Sequence, residues 1–194
     1  AEDGIRDDLV TGVQTCALPI LPSVLAGVDT IDMKTRVMGI DLDLPLFLSP
    51  TALQRLFHHD GERAVGRAAE AYGTLFGISS LATVGIEEIA RTIKTPKIFQ
   101  LYYHKDKDLT YGMIERCKHE GFDALALTVD TIVGGNRERD LVTGFTSPPR
   151  LTPKSLLSFA AHPQWTLNYL FREPFELSNL KEHIAEGSNV SVSV

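Results

Sequence analysis

From Asp43 to Asp130 the chain alternates short apolar runs with amphipathic stretches, and this rhythm constrains the fold more than any other feature. "LPLFLSP", "TLFGISS", "KIFQLYY" and "DALALTVD" are the apolar runs, separated by "GERAVGRAAEAYG", "GIEEIARTI" and "KDLTYGMIERCKHEG". In the first separator Ala64, Ala68 and Tyr72 recur at helical spacing, and Gly73 is placed to end the helix. In the second, Ile86, Ile89, Ala90 and Ile93 share a face, with Glu87 and Glu88 in the favourable first turn. In the third, Leu109, Met113 and Cys117 align, and Gly121 closes the helix. Strands apolar on both faces and joined by helices predict a parallel sheet with helical crossovers. A doubly wound sheet and a (β/α)8 barrel both satisfy the pattern. The first strand is not followed by G-x-G-x-x-G, which counts against a dinucleotide-binding sheet. Each strand ends in polar residues: Ser49-Pro50-Thr51, Ser79-Ser80, Gln100 with Tyr102, and Thr128 with Asp130. In a barrel such ends share one rim, where active sites are built.

The flanks do not follow the rhythm. Residues 1–20 fit neither the helical nor the strand period and have no signal-peptide layout. Ala1–Asp7 and Val10–Ile20 read, in one frame, as translated parts of a short-read sequencing adapter, with Asp8-Leu9 in the index slot. Residues 1–20 are therefore expected to be an adapter-encoded leader outside the fold. Beyond Asp130, residues 131–194 are rich in Gly, Pro, Ser and Thr and read as a long, cut-off loop insertion. It holds a helical piece near Lys154 to Ala160 and an aromatic stretch from Trp165 to Phe171.

A net charge of −6 offers no basic face for nucleic acid, and no apolar run is long enough to span a membrane. Cys16 falls in the leader, so Cys117 stands alone and no disulfide framework is available. His58, His59 and His104 lack a carboxylate or cysteine at ligand-like spacing, so no metal is expected.

Five ordered stretches, "SPTALQRLFHHDGE", "GISSLAT", "FQLYYHKDK", "ALTVDT" and "GGNRERDL", resemble the FMN-dependent α-hydroxy-acid oxidases and dehydrogenases, the family of glycolate oxidase and of lactate and mandelate dehydrogenases. The resemblance runs from about Leu21 to the C-terminus. It implies the N-terminal half of a (β/α)8 barrel: four βα units over residues 21–130, then the insertion after strand four. It implies oxidation of an L-2-hydroxy acid to a 2-keto acid with FMN as cofactor.

The roles follow motif by motif. Pro50, Thr51 and Ala52 match the loop against the flavin ring, and Ser79, Gln100 and Thr128 match polar groups on its edge. A neutral ring rimmed by N–H and C=O groups calls for neutral partners on rigid strand ends. Tyr102 matches a substrate tyrosine, and Arg137 matches the arginine that grips the substrate carboxylate through its planar fork. Each has a plainer reading: Thr51 and Ser79 as helix caps, Gln100 and Tyr102 as packing groups, Arg137 as part of a solvated charge cluster.

The family's histidine base, second arginine, flavin lysine and phosphate-binding loops match nothing in this chain. No catalytic residue is therefore assigned, and the chain alone is expected to be inactive and, with two open sheet edges, prone to self-association. Leu81 stands where glycolate oxidases commonly carry the larger Trp, which points to a different side-chain pocket, for lactate or a larger hydroxy acid, and a lactate-like substrate is expected. The electron acceptor, whether quinone, cytochrome or O2, stays open. The resemblance implies a homo-oligomer in the cytoplasm, with residues 154–172 as a candidate peripheral contact on the inner membrane face. A non-redox FMN barrel such as an isomerase is the alternative.

Overall fold

A computed structural model describes residues 24–25, 27–129, 138–144, 152–174 and 176–180. The chain divides into two units, Ala1–Asp32 and Met33–Val194. Residues 24–25 and 27–32 of the first unit are exposed and carry no helix or strand. The expected leader, residues 1–20, lies outside the described residues.

The second unit opens with an antiparallel hairpin of β1 (Thr35–Val37) and β2 (Ile40–Leu42). Its two-residue turn, Met38-Gly39, has positive φ at both positions, as the right-handed twist of such hairpins favours. A Met-Gly pair carries no usual hairpin signal, so this element was not legible in the sequence.

The expected rhythm follows: β3 (Phe47–Leu48), α1 (Gly61–Ala71), β4 (Leu75–Ser79), α2 (Ile86–Thr92), β5 (Lys97–Tyr102), α3 (Lys107–His119) and β6 (Ala124–Thr128). All four strands are parallel, in the order β3-β4-β5-β6. The fold is α/β with a parallel sheet, as the alternation predicts. Asp106 starts α3 by accepting the amides of Asp108 and Leu109. Gly73 ends α1 at φ +58°, where a side chain would also collide with Asp43.

Register separates the two faces of the sheet. Ile78 is paired with Phe99, and Phe76, Ile78, Phe99 and Leu101 join one buried cluster with Ile86, Ile89, Met113 and Cys117 from the helices. Gly66 lets α1 approach Phe76 and Ile93 closely. Burial of this kind is worth about 1.5–3 kcal/mol for each large side chain. It also pushes the Cys117 thiol up to about 12. The alternate positions, including Ser79, Gln100, Tyr102 and Thr128, then fall on the opposite face. The outer strands are less covered: Leu46 and Phe47 at β3, and Leu125 and Leu127 on β6, are exposed.

Beyond Asp130 the described residues are more regular than a loop, and the helical piece expected near Lys154 to Ala160 is present. The described part contains α4 (Glu138–Thr143), α5 (Pro153–Ala161) and α6 (Pro163–Phe171). Thr152 and Ser155 form a reciprocal capping box, and a proline opens both α5 and α6. Proline and serine, read as loop composition, act here as helix starts. Among the described residues no helix is long and apolar enough to cross a membrane.

Candidate functional site

The C-terminal ends of β4, β5 and β6 carry one continuous hydrogen-bond chain. Ser79 Oγ donates to Gln100 Oε1 at 3.1 Å, and Gln100 Nε2 donates to Thr128 Oγ1 at 2.7 Å. Ser79 Oγ also accepts the Leu81 amide at 3.1 Å. Ser79 and Gln100 are buried, while Thr128 is half-buried at the edge strand. Parallel pairing places Ser79 beside Gln100, and Tyr102 beside Thr128. Tyr102 is two residues beyond Gln100 and shares its face.

The loop after β3 lies against this row because β4 has a glycine at its centre. A Cβ on Gly77 would meet Pro50 Cδ at 2.7 Å, Pro50 N at 2.8 Å and the Leu48 carbonyl at 2.9 Å. Leu53 N donates to the Leu81 carbonyl at 3.2 Å, and Gln54 Nε2 to the Thr51 carbonyl at 3.2 Å. The loop is thereby tied to the β4–α2 connection on one side and to the following 3-10 turn, Gln54–Leu56, on the other. Neither Thr51 nor Ser79 caps a helix: Thr51 Oγ1 bonds the Ser49 carbonyl, and Ser79 belongs to the strand-end chain.

Of the expected site residues, Pro50, Thr51, Ala52, Ser79, Gln100, Tyr102 and Thr128 thus stand on one loop and three adjacent strand ends. Arg137 lies outside the described residues.

These residues fit a neutral planar ring with polar edges. The row is made of neutral hydroxyl and amide groups. Thr128 keeps its hydroxyl proton for a further acceptor, and Gln100 keeps one amide proton. Next in the chain, Ser80 Oγ is fully buried with no hydrogen-bond partner.

A second set of residues holds the loop from below, and the sequence reading missed it. Glu62 is fully buried at the start of α1. Its oxygens accept Thr83 N at 2.8 Å and Thr83 Oγ1 at 2.6 Å. Thr83 Oγ1 also accepts the Arg55 amide at 3.1 Å, and the Thr83 carbonyl accepts Ser178 Oγ at 2.7 Å. The Arg55 side chain donates to the carbonyls of His59, Glu173 and Pro174. Arg63 bridges Glu88 and Glu173, and its guanidinium holds the Glu173 carboxyl below the usual carboxylate range. Glu62 stands in the quoted motif "HHDGE", but a lone acid at a helix start reads as a solvated first-turn charge. Only its placement beneath Thr83 distinguishes it.

His58, His59 and Asp60 bring ligand-capable atoms within 4.8 Å of one another, although the spacing argument dismissed such a set. All three are engaged, with His59 Nε2 3.8 Å from Asp60 Oδ1. His58 Nδ1 accepts the Asp60 amide at 3.2 Å, which puts the neutral ring's proton on Nε2, and Arg67 binds the Asp60 carboxylate at 2.8 Å. The cluster gains no metal assignment from this geometry.

The FMN-dependent dehydrogenase family model matches residues 15–193. Glycolate oxidase 1 of Zea mays is 44% identical over 134 residues, covering 69% of this chain and 36% of the maize protein. A protein named putative L-lactate dehydrogenase from Mycobacterium tuberculosis is 38% identical over 160 residues, covering 82% of this chain and 39% of its own length. Among solved structures, the monotopic membrane protein (S)-mandelate dehydrogenase superposes with a TM-score of 0.76 at 32% identity, over 82% of this chain and 42% of that one. A Pediococcus acidilactici protein described as a (putative) lactate oxidase gives a TM-score of 0.63 at 34% identity, over 73% of this chain and 39% of its own. The chain spans well under half the length of each of these relatives.

Proposed function

Because the chain belongs to the FMN-dependent dehydrogenase family, we infer that it is the N-terminal half of a (β/α)8 enzyme that oxidises an L-2-hydroxy acid to its 2-keto acid. Residues 21–130 supply four βα units, and the segment from 131 onward is the insertion after the fourth strand. The observation that carries the reading is the Ser79–Gln100–Thr128 chain across three parallel strand ends, with the Pro50-Thr51-Ala52 loop laid beside it.

FMN, when bound, supplies the two-electron acceptor. The chain's part is to hold the ring edge with neutral hydrogen bonds and to orient the substrate. Gln100 and Thr128 offer protons to ring carbonyl acceptors. Tyr102, on the same face, places its hydroxyl toward the substrate and the alkoxide that develops as the hydroxyl proton leaves. Arg137 takes the carboxylate in two parallel hydrogen bonds, which fixes which face of the α-carbon is presented. The proton-accepting histidine and the second arginine belong to the other half of the barrel. Leu81, half-buried, stands where glycolate oxidases commonly carry the larger Trp, and this supports a lactate-like substrate. A non-redox FMN barrel remains the alternative, and it gives Arg137 no carboxylate to hold.

Ring-edge binding is tested by flavin fluorescence titration of this chain with FMN and with lumichrome, the ring alone. Lumichrome is expected to bind within about threefold of FMN, and Gln100→Leu to weaken both roughly tenfold, about 1.4 kcal/mol. An unchanged affinity in Gln100→Leu removes the assignment.

Residues 154–172 are inferred to touch a membrane surface. Leu156, Leu157, Leu167, Leu170 and Phe171 are exposed large apolar groups on two short helices, and the superposed mandelate dehydrogenase is described as monotopic. Co-sedimentation with phosphatidylglycerol vesicles is expected to fall at least fivefold in a Leu167→Gln, Leu170→Gln, Phe171→Gln triple variant. Equal sedimentation of the two proteins rejects the contact. Assembly of the whole enzyme into a homo-oligomer is part of the same proposal and is read by sedimentation velocity of the full-length protein.

A further inference from the structure

The two faces of α6 do different things. Leu167, Leu170 and Phe171 point outward. Trp165, Asn168, Tyr169 and Arg172 recur at helical spacing on the opposite side, and they line a cavity of ≈ 540 Å³ closed by His58 and His59. None of the strand-end residues Ser79, Gln100 or Thr128 lines it.

The cavity wall is an aromatic ladder. Phe159 and Trp165 stack at 5.6 Å and 20° between planes, and Trp165 and Tyr169 at 5.1 Å and 12°. Tyr169 lines the cavity and Phe159 does not, so the ladder ends at the cavity with a phenol ring. The wall is fixed in place, because Trp165 Nε1 donates to the Leu56 carbonyl at 2.7 Å. A prearranged wall costs a ligand little ordering on binding.

The polar groups around the ladder are mainly donors and cations. Arg55 and Arg63 share the Glu173 carboxylate, and Arg55 is further bound to backbone carbonyls. Glu173 is therefore committed, and the Arg172 guanidinium has no partner among the described residues. His58 presents Nε2–H, because its Nδ1 accepts the Asp60 amide. His59 Nδ1 is buried with no hydrogen-bond partner. A stacking wall with an uncompensated guanidinium recognises a flat ring bearing a carboxylate, through one more stacking step and a bidentate ion pair.

We propose that this cavity is a second ligand site, separate from the strand-end rim, for a planar aromatic carboxylate of one or two rings. Trp165 is the only tryptophan in the chain, so its emission reads occupancy directly, without flavin or turnover. The probe is 2-naphthoate, titrated against its neutral counterpart 2-naphthalenemethanol and against inorganic phosphate. Naphthoate is expected to change Trp165 emission saturably and to bind at least tenfold more tightly than the alcohol. Phosphate is expected to leave the emission unchanged.

Arg172→Gln, at an exposed position, is expected to bring naphthoate down to the affinity of the alcohol. Tyr169→Leu is expected to weaken both aromatic probes, and Leu167→Gln on the outer face neither. Equal binding of naphthoate and the alcohol overturns the proposal, as does unsaturable quenching or an Arg172→Gln protein that binds like the original. A phosphate response as large as that of naphthoate also overturns it, because the cavity would then be a plain anion hole. Far-UV circular dichroism of each variant shows that the fold is intact before its titration is read.

Discussion

Replacing Gly77 by valine is expected to destabilise the protein by about 3 kcal/mol and to displace the Pro50-Thr51-Ala52 loop. The new Cβ would stand within 2.9 Å of three atoms of Leu48 and Pro50, two of them backbone atoms that cannot rotate away. Over-packing of a closed interior costs about 1–3 kcal/mol, and a backbone collision falls at the upper end. For a domain of this size that corresponds to a fall in Tm of roughly 6–12 °C. The relief available is movement of the loop away from β4, so lumichrome affinity should fall with stability, by tenfold or more. Gly77→Ala should show the same pattern at about half the size. Thermal melts followed at 222 nm, paired with the ring titration, measure both effects. A valine variant that melts within 2 °C of the original would mean that the loop does not rest on β4.

Glu62→Ala is the second large effect, at about 3 kcal/mol. The side chain is fully buried, and its two oxygens take the amide and hydroxyl of Thr83, itself buried. Alanine leaves both donors without partners and opens a void where the carboxyl stood. Orphaned buried donors cost about 1–3 kcal/mol each, offset in part by water entering the space. Glu62→Gln keeps the volume but turns an amide N–H toward a donor, so about half the loss is expected. Chemical denaturation with urea gives the comparison. If glutamine is as damaging as alanine, shape matters here less than the acceptor pair; if both are neutral, Thr83 finds other partners.

The alternation of helices and strands was legible because each element had to hide an apolar face, and hiding it requires a period. All four short apolar runs became parallel strands, and all three amphipathic stretches became helices. The strand-end residues were legible for a related reason: polar side chains closing apolar strands in a parallel sheet have one rim to occupy. Three things were not. The β1–β2 hairpin turns on Met38-Gly39, a pair whose backbone preference the sequence does not advertise. Helix α6, legible only as an aromatic stretch, begins with Pro163, a residue type that serves equally in loops. Glu62 and Arg55 owe their roles to partners far along the chain, with Arg55 bonded to carbonyls 118 and 119 residues away. Local pattern carries no trace of such pairings.

One of these distant pairings bears on the order of folding. The Asn179 side chain accepts the Ile86 amide at 3.1 Å, at the first residue of α2 and 93 residues upstream. Leu180 beside it is completely buried. Helix α2 therefore borrows its starting acceptor from a segment made after nearly the whole described chain. Closing a loop that long is entropically slow compared with pairing neighbouring strands. In pulsed hydrogen exchange during refolding, the Ile86 amide should gain protection after those of β4 and β5, and it should be among the first in the core to lose it when the fold opens.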